Sequence, residues 1–145
     1  MIEIDVTGEE EVQAALRAVV GKLQGHQMEA ALLAGALPIM NAAKTNAPKL
    51  TGTLARSIHV LERSPRQVVI GTDLVYARIQ EEGGDIAPVN ATYLRFEVGG
   101  DVIYTRGPVH IPAQPYMRPA FESERSAAMR EIAGAVRDLV ASSGR

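Results

Sequence analysis

Hydrophobic residues recur every three or four positions along two long segments of the chain, which is the spacing of an amphipathic helix. The first covers about residues 26–46 and the second about residues 119–141. Pro38 lies inside the first segment, so we expect it to kink or divide that helix. Pro119 suits the first turn of the second helix, where its missing N–H costs nothing.

A third helix is predicted near the start of the chain. Residues 2–6 alternate apolar and polar, which predicts a short strand, and Thr7 or Gly8 is suited to cap the helix that follows. Three glutamates at positions 9–11 open this helix, where negative charge is favourable to the helix dipole. We expect Gly25 to interrupt it or to mark a bend.

The middle of the chain has the shorter period of β-strands. Two hairpins are predicted, one with a turn at residues 64–66 and one with a turn at Gly99-Gly100, which is a strong hairpin signal. The predicted strands are residues 57–62, 67–71, 93–98, 101–104 and 109–111. Residues 76–82 are predicted to form a short helix closed by Gly83-Gly84, and residues 85–91 a loop.

Residues 43–58 form the most distinctive local pattern, a helix that ends abruptly before a sharp turn. Pro48 disfavours helical conformation in the residue before it, so the helix is expected to stop at about Asn46. Gly52 tolerates a positive φ and lets the chain turn. A strand or helical turn should then begin at once.

This order of elements predicts an α+β fold, with an antiparallel β-sheet packed against a long N-terminal helical segment and a C-terminal helix. We expect residues 1–145 to form a single domain, because 145 residues suffice for one core.

Composition excludes several classes of protein. The 15 basic and 17 acidic residues give a net charge of −2, which is not the footprint of a nucleic-acid-binding protein. There is no cysteine, and hence no disulfide or thiolate chemistry. We expect neither a signal peptide nor a transmembrane helix, and we therefore expect a soluble protein.

The residues that carry chemistry do not form a recognisable active site. His26, His59 and His110 come from three separate elements, and their spacing matches no metal motif. Ser57 and His59 have the residue types of a nucleophile and a base, but no acid to orient them is identifiable. Glu81-Glu82 is better explained as a charge pair at a helix end. We expect no enzymatic activity, no metal and no cofactor.

Three segments taken together resemble one family, the gene-product-ten-like head–tail connector and tail-completion proteins of long-tailed phages, prophages and gene transfer agents. Residues 43–58 match its Ala-Lys, Ala-Pro, Thr-Gly, Leu and Ser-Ile series, and residues 69–81 its Val-Gly-Thr, Tyr-Ala and Glu series. Residues 111–120 resemble its proline- and arginine-containing segment before the terminal helix. Arg56 falls one place late, Glu82 replaces a common aromatic residue, and Gln114 replaces the usual arginine.

The resemblance implies a structural virion protein that joins the head to the tail as a subunit of a ring in the neck or upper tail. Its partners would be copies of itself, portal or adaptor proteins, and tail-tube or tail-terminator proteins, with DNA only as a passenger through the lumen. Assembly in the bacterial cytoplasm and residence in the virion or phage-like particle are implied. The candidate subunit-interface residues are Tyr76, Glu81, Tyr104, Pro112, Pro115, Tyr116, Met117 and Arg118.

The sequence leaves alternative roles and functions open. For Tyr76, Tyr104, Tyr116 and Met117 the alternative role is burial in the chain's own core. The segments 83–91 and 108–119 are the candidate interface loops, and their alternative role is plain surface connection. A tail terminator or a minor capsid protein is the nearest alternative function. From another class, a cellular module that binds a peptide or nucleic acid is the rival.

Overall fold

The computed structural model describes residues 9–23, 25–49, 51–98 and 101–143. Five helices and six strands follow one another in these ranges. In chain order they are α1 (Glu9–Leu23), α2 (His26–Asn46), α3 (Thr53–Ser57), β1 (His59–Arg63), β2 (Val68–Gly71), α4 (Ala77–Glu82), β3 (Gly84–Ile86), β4 (Leu94–Val98), β5 (Asp101–Thr105), β6 (Val109–Ile111) and α5 (Met117–Ser143). The predicted α+β class is confirmed.

The two long helices, α2 and α5, form the main packing contact of the molecule. Small residues on α2 make this contact close. A Cβ added to Gly35 would lie 2.5 Å from Cγ1 of Ile132 on α5. Ala31 and Ala36 are buried on the same helix. The small residues of α2 therefore let the two backbones approach, and α1 packs against both helices.

The predicted joint after α2 is confirmed. The helix ends at Asn46, and Gly52 adopts a φ of 68° immediately before the helical turn α3. Leu54 and Ile58 from this turn are buried against the end of α2. Residues of the joint are thus part of the buried core. Its buried members are Ala43, Ala47, Leu54, Ile58, Ala77, Tyr116 and Ala120.

The strands form three separate antiparallel pairs, where the sequence predicts one sheet. β1 pairs with β2 through an irregularity between Val60 and Glu62, β3 pairs with β6, and β4 pairs with β5. β2 and β1 pack on α2. Among the described elements, β4 and β5 make extensive contact only with each other. We call residues 93–98 and 101–106 the β4–β5 arm. Isolated two-stranded pairs are marginally stable in water, so this arm needs further contacts to be firmly held.

Several local predictions are corrected. Ser57 lies in α3 and not in a strand, because its hydroxyl bonds back to the Leu54 carbonyl at 2.7 Å and completes the helical turn. Residues 84–86 form β3 in place of a loop, because β6 returns to pair with them. The expectation that Pro38 divides α2 is wrong, since the helix continues through it and packing along α5 offsets the proline's cost of about 3 kcal/mol. The alternative, a kink at Pro38, stays a prediction. The strand predicted at residues 2–6 lies outside the described residues.

No helix in the described part of the chain is both long and apolar enough to cross a membrane.

Candidate functional site at the junction of α4 and α5

The short helix α4 packs against the proline-containing segment that leads into α5. Gly83 ends the helix with a φ of 70°. A Cβ at this position would lie 2.7 Å from the backbone nitrogen of Ala113, so a side chain has no room there. The Gln114 N–H donates to the Gln80 carbonyl at 2.7 Å. These backbone contacts fix the proline segment against α4.

Glu81 binds the start of α5 with both of its carboxylate oxygens. Oε2 accepts the backbone N–H groups of Tyr116 at 2.7 Å and Met117 at 2.9 Å, and Oε1 accepts that of Arg118 at 2.9 Å. The first N–H groups of a helix have no partner within the helix, and negative charge is favourable there. Glu81 therefore supplies from a separate helix the cap that α5 needs.

The electrostatics of this junction follow from the same contacts. Burial of the Glu81 carboxyl opposes its ionisation, but the three N–H bonds and the charge of Arg118 outweigh burial, so the pKa of Glu81 is lowered. Burial raises the pKa of Tyr116, and the Glu81 charge adds to the effect. Glu81 is thus held as a carboxylate, and its oxygens are already engaged.

Tyr116 anchors this junction in the core. Its side chain is 2 % exposed, and the Asn46 side-chain amide reaches the Tyr116 carbonyl at 3.5 Å from the end of α2. The junction therefore joins α4, α5 and the end of α2. Its residues are distant in sequence, and Glu81 and Tyr116 are 35 positions apart.

Beside the junction lies an open, mainly apolar groove of about 1070 Å³ between α2, β2 and α5. Phe121 and Met129 on α5 are 55 % and 64 % exposed along it. Its charged lining residues are Glu81, which caps α5, and three arginines. We call this feature the groove. Its lining residues on α5 include Arg118, Phe121, Arg125, Met129, Arg130 and Ile132.

The structure gathers four of the eight candidate interface residues at the junction: Glu81, Tyr116, Met117 and Arg118. Tyr116 is buried in the chain's own core, while Met117 and Arg118 line the groove. Pro112 and Pro115 lie exposed in the segment before α5. These positions show where each side chain lies, and its contacts with other subunits remain a prediction.

The remaining two candidates, Tyr76 and Tyr104, are exposed and lie elsewhere. Tyr76 immediately precedes α4. Tyr104 lies on the β4–β5 arm, where its ring meets the ring of Tyr93 edge-on at 6.5 Å. Arg106 stacks over Tyr93 at 5.1 Å from the ring centre. The arm thus exposes a small aromatic and cationic patch.

The histidines and Ser57 are each engaged with separate partners. His110 pairs with Asp85 at 2.8 Å across β3 and β6, and His59 donates from Nδ1 to the Ser57 carbonyl at 2.6 Å. The Ser57 hydroxyl bonds to Leu54 and to Thr72. Within the described ranges, no group of three or more histidine and acidic side chains is placed to hold a metal ion.

One family model matches the chain, over residues 10–83, which are 74 of its 145 residues. It describes the bacteriophage HK97 gp10-like proteins, assigned as candidate components of the phage tail. The chain belongs to the HK97 gp10-like family. No curated protein and no solved structure matches it. The matched part of this HK97 gp10-like chain runs from α1 to the end of α4, and the resembling segment at residues 111–120 lies beyond it.

The sequence predicts a subunit contact for Glu81, which stays a prediction, and the structure shows Glu81 as the cap of α5. Pattern alone does not pair Glu81 with backbone groups 35 residues later, because the pairing depends on the tertiary fold. The helical stripe containing Phe121 and Met129 was predicted. Its exposure was not predicted, because periodicity shows which residues share a face but not what covers that face.

Proposed function

We propose that this protein of the HK97 gp10-like family, which is a family of phage tail-related structural proteins, joins the phage head to the tail as one subunit of a ring in the neck or upper tail. The family match, from α1 through the joint to α4, is the observation that carries the proposal. A subunit of such a ring needs contact surfaces on two sides, because a closed ring repeats one head-to-tail contact.

The distribution of apolar surface supports this proposal. The groove on one part of the molecule and the β4–β5 arm on another both expose apolar or aromatic side chains. Contiguous exposed apolar surface is typical of protein–protein contact sites. Aromatic residues, methionine and arginine are enriched in such interfaces, and Tyr104, Met129 and Arg106 are of these types.

The proposed partners are further copies of the chain, a portal or adaptor protein on the head side, and tail-tube or tail-terminator proteins on the tail side. A net charge of −2 suits protein partners better than a grip on DNA. DNA would pass through the ring as cargo. The proposed location is the neck or upper tail of a virion or phage-like particle.

We also propose that the protein acts without catalysis. Support comes from Ser57 and His59: the Ser57 hydroxyl bonds to Leu54 and Thr72, and His59 Nδ1 bonds to the Ser57 carbonyl and not to its hydroxyl. Glu81 is likewise engaged by three backbone N–H groups and is not free to act as a general base.

The test is electron microscopy of particles induced from a strain that lacks this gene, with a strain carrying a plasmid copy as the control. We expect full heads to accumulate separately from tails and the plasmid copy to restore joined particles. Normal, infectious, joined particles without the gene would overturn the proposal. Tails of irregular length on joined particles would instead assign a tail-terminator role.

A further inference from the structure

The groove is lined mainly by apolar side chains, together with three arginines. Phe121 and Met129 expose more than half of their side chains along it. Arg118, Arg125 and Arg130 also line it, whereas the Glu81 carboxylate is occupied by backbone N–H groups. The available charge is therefore positive. An amphipathic segment that carries acidic residues has the complementary character.

The shape of the groove favours a helix over a small molecule. It follows α5 from Met117 to Ile132, which corresponds to about 22 Å of helix at 1.5 Å per residue. Its volume of about 1070 Å³ lies at the upper limit for small-molecule sites, which also need several converging polar groups to orient a ligand. Amphipathic helices bind in grooves of this kind through apolar residues spaced three or four apart.

The helix α1 has the properties that the groove requires. It contains 15 residues, again about 22 Å. Leu16 and Val20, spaced four apart and so on one face, are 59 % and 48 % exposed. The sequence opens α1 with three glutamates at positions 9–11. The length and the apolar face match the groove, and the three glutamates of α1 outnumber its two basic residues, Arg17 and Lys22.

The chain's own α1 does not fill its groove. This helix packs against α2 and α5 in the same molecule, yet none of the α1 residues whose side chains the structure describes lines the groove. Leu16 and Val20 therefore remain available to another molecule. We propose that the groove binds the exposed face of α1 from a second copy of this chain, with residues 9–11 near Arg125 and Arg130.

This contact is heterologous, since each copy offers α1 to one neighbour and the groove to another. Repetition of such a contact gives a closed ring or an open filament. The inference rests on the proposed function, because it assigns the surface through which the ring subunits would meet.

The experiment is sedimentation velocity on the full chain from about 1 µM to about 1 mM. The α1 variant is L16E/V20E and the groove variant is F121E/M129E. All four positions are substantially exposed, and circular dichroism verifies the fold. The matched control is V75E/V89E, which introduces two glutamates at highly exposed apolar positions outside both surfaces.

The wild type and the control should associate reversibly, whereas each paired variant should associate at least about 30-fold more weakly. A mixture of the α1 variant and the groove variant should form a one-to-one dimer and nothing larger, because one intact pair of surfaces remains. A monomeric wild type, unchanged association of either variant, or a mixture that stays monomeric would overturn the proposal. Loss of association in the groove variant alone would show that a segment other than α1 binds in the groove.

A charge exchange tests the predicted orientation. Reversal of the glutamates in E9K/E10K/E11K should weaken association about tenfold, and addition of R125E/R130E should restore it. Failure of restoration would overturn the placement of residues 9–11. The gene deletion is an independent test: joined particles would overturn the tail role, whereas the sedimentation results decide the groove contact by themselves.

Discussion

The carboxylate of Glu81 on α4 accepts the backbone N–H of Tyr116 at 2.7 Å, immediately before α5 begins. This bond ties the family-matched part of the chain, which ends at residue 83, to the helix that forms one wall of the groove. The orientation of α5, and with it the groove, therefore depends on a side chain from α4.

The first prediction concerns this cap. Glu81→Ala should lower the free energy of unfolding by about 2 kcal/mol, because it leaves the first N–H groups of α5 without their acceptor. Glu82→Ala is the matched control. It removes only an exposed ion pair with Arg78, and such pairs contribute little to stability. Urea denaturation of the two variants measures the difference, and equal losses would contradict the capping role.

The second prediction is a pH dependence. The folded state lowers the pKa of Glu81 below its ordinary value of 4.5. The unfolded chain therefore takes up the proton first as the pH falls, so the stabilisation is complete above 4.5 and is lost as the pH falls through the folded-state pKa. The stability difference between wild type and Glu81→Gln should shrink from about pH 7 to about pH 3. A constant difference across urea titrations would show that the carboxylate charge is not responsible.

Sequence patterns predicted the parts of the fold that depend on local chemistry. The end of α2 follows from Pro48, and the hairpin of β4 and β5 follows from the Gly-Gly turn. The pairing of β3 with β6 was missed, because Asp85 and His110 are 25 residues apart and no local pattern relates them. Ser57 was placed in a strand because the alternating pattern begins there, while its hydroxyl favours the turn.

Only part of the candidate site was predicted from the sequence. Sequence resemblance selected Glu81, Met117 and Arg118, which do lie together beside the groove. The exposed face of α1 and the groove were not predicted, because both depend on how α2 and α5 pack. A periodic apolar stripe normally indicates a core face, and only the packed structure shows Met129 exposed.

The third prediction concerns Gly83, which ends α4. Gly83→Ala should destabilise the protein by about 2 kcal/mol or more, because φ is 70° and the added Cβ would lie 2.7 Å from the Ala113 nitrogen. Gly52→Ala shares the positive φ of 68°, but its Cβ would meet only the flexible Arg56 side chain at 3.0 Å. We expect Gly52→Ala to lower the free energy of unfolding by about 1 kcal/mol. Thermal and urea denaturation should rank the variants in this order, and the reverse order would contradict the close packing of α4 on the proline segment.

The last prediction tests the contact between α2 and α5 that underlies the groove. In Gly35→Ala the new Cβ would lie 2.5 Å from Ile132 Cγ1 and 2.9 Å from the Ala128 carbonyl oxygen. The backbone oxygen cannot shift without disturbing its helix. We therefore expect the free energy of unfolding to fall by about 1–3 kcal/mol, despite alanine's better helix propensity. Gly134→Ala is the matched control, because it lies within α5 with nothing within 4 Å of the new Cβ. That substitution should stabilise the protein by about 0.5–1 kcal/mol. Urea denaturation should therefore show changes of opposite sign in the free energy of unfolding of the two variants. Stabilisation by both substitutions would show that α2 and α5 pack less closely than in the structure.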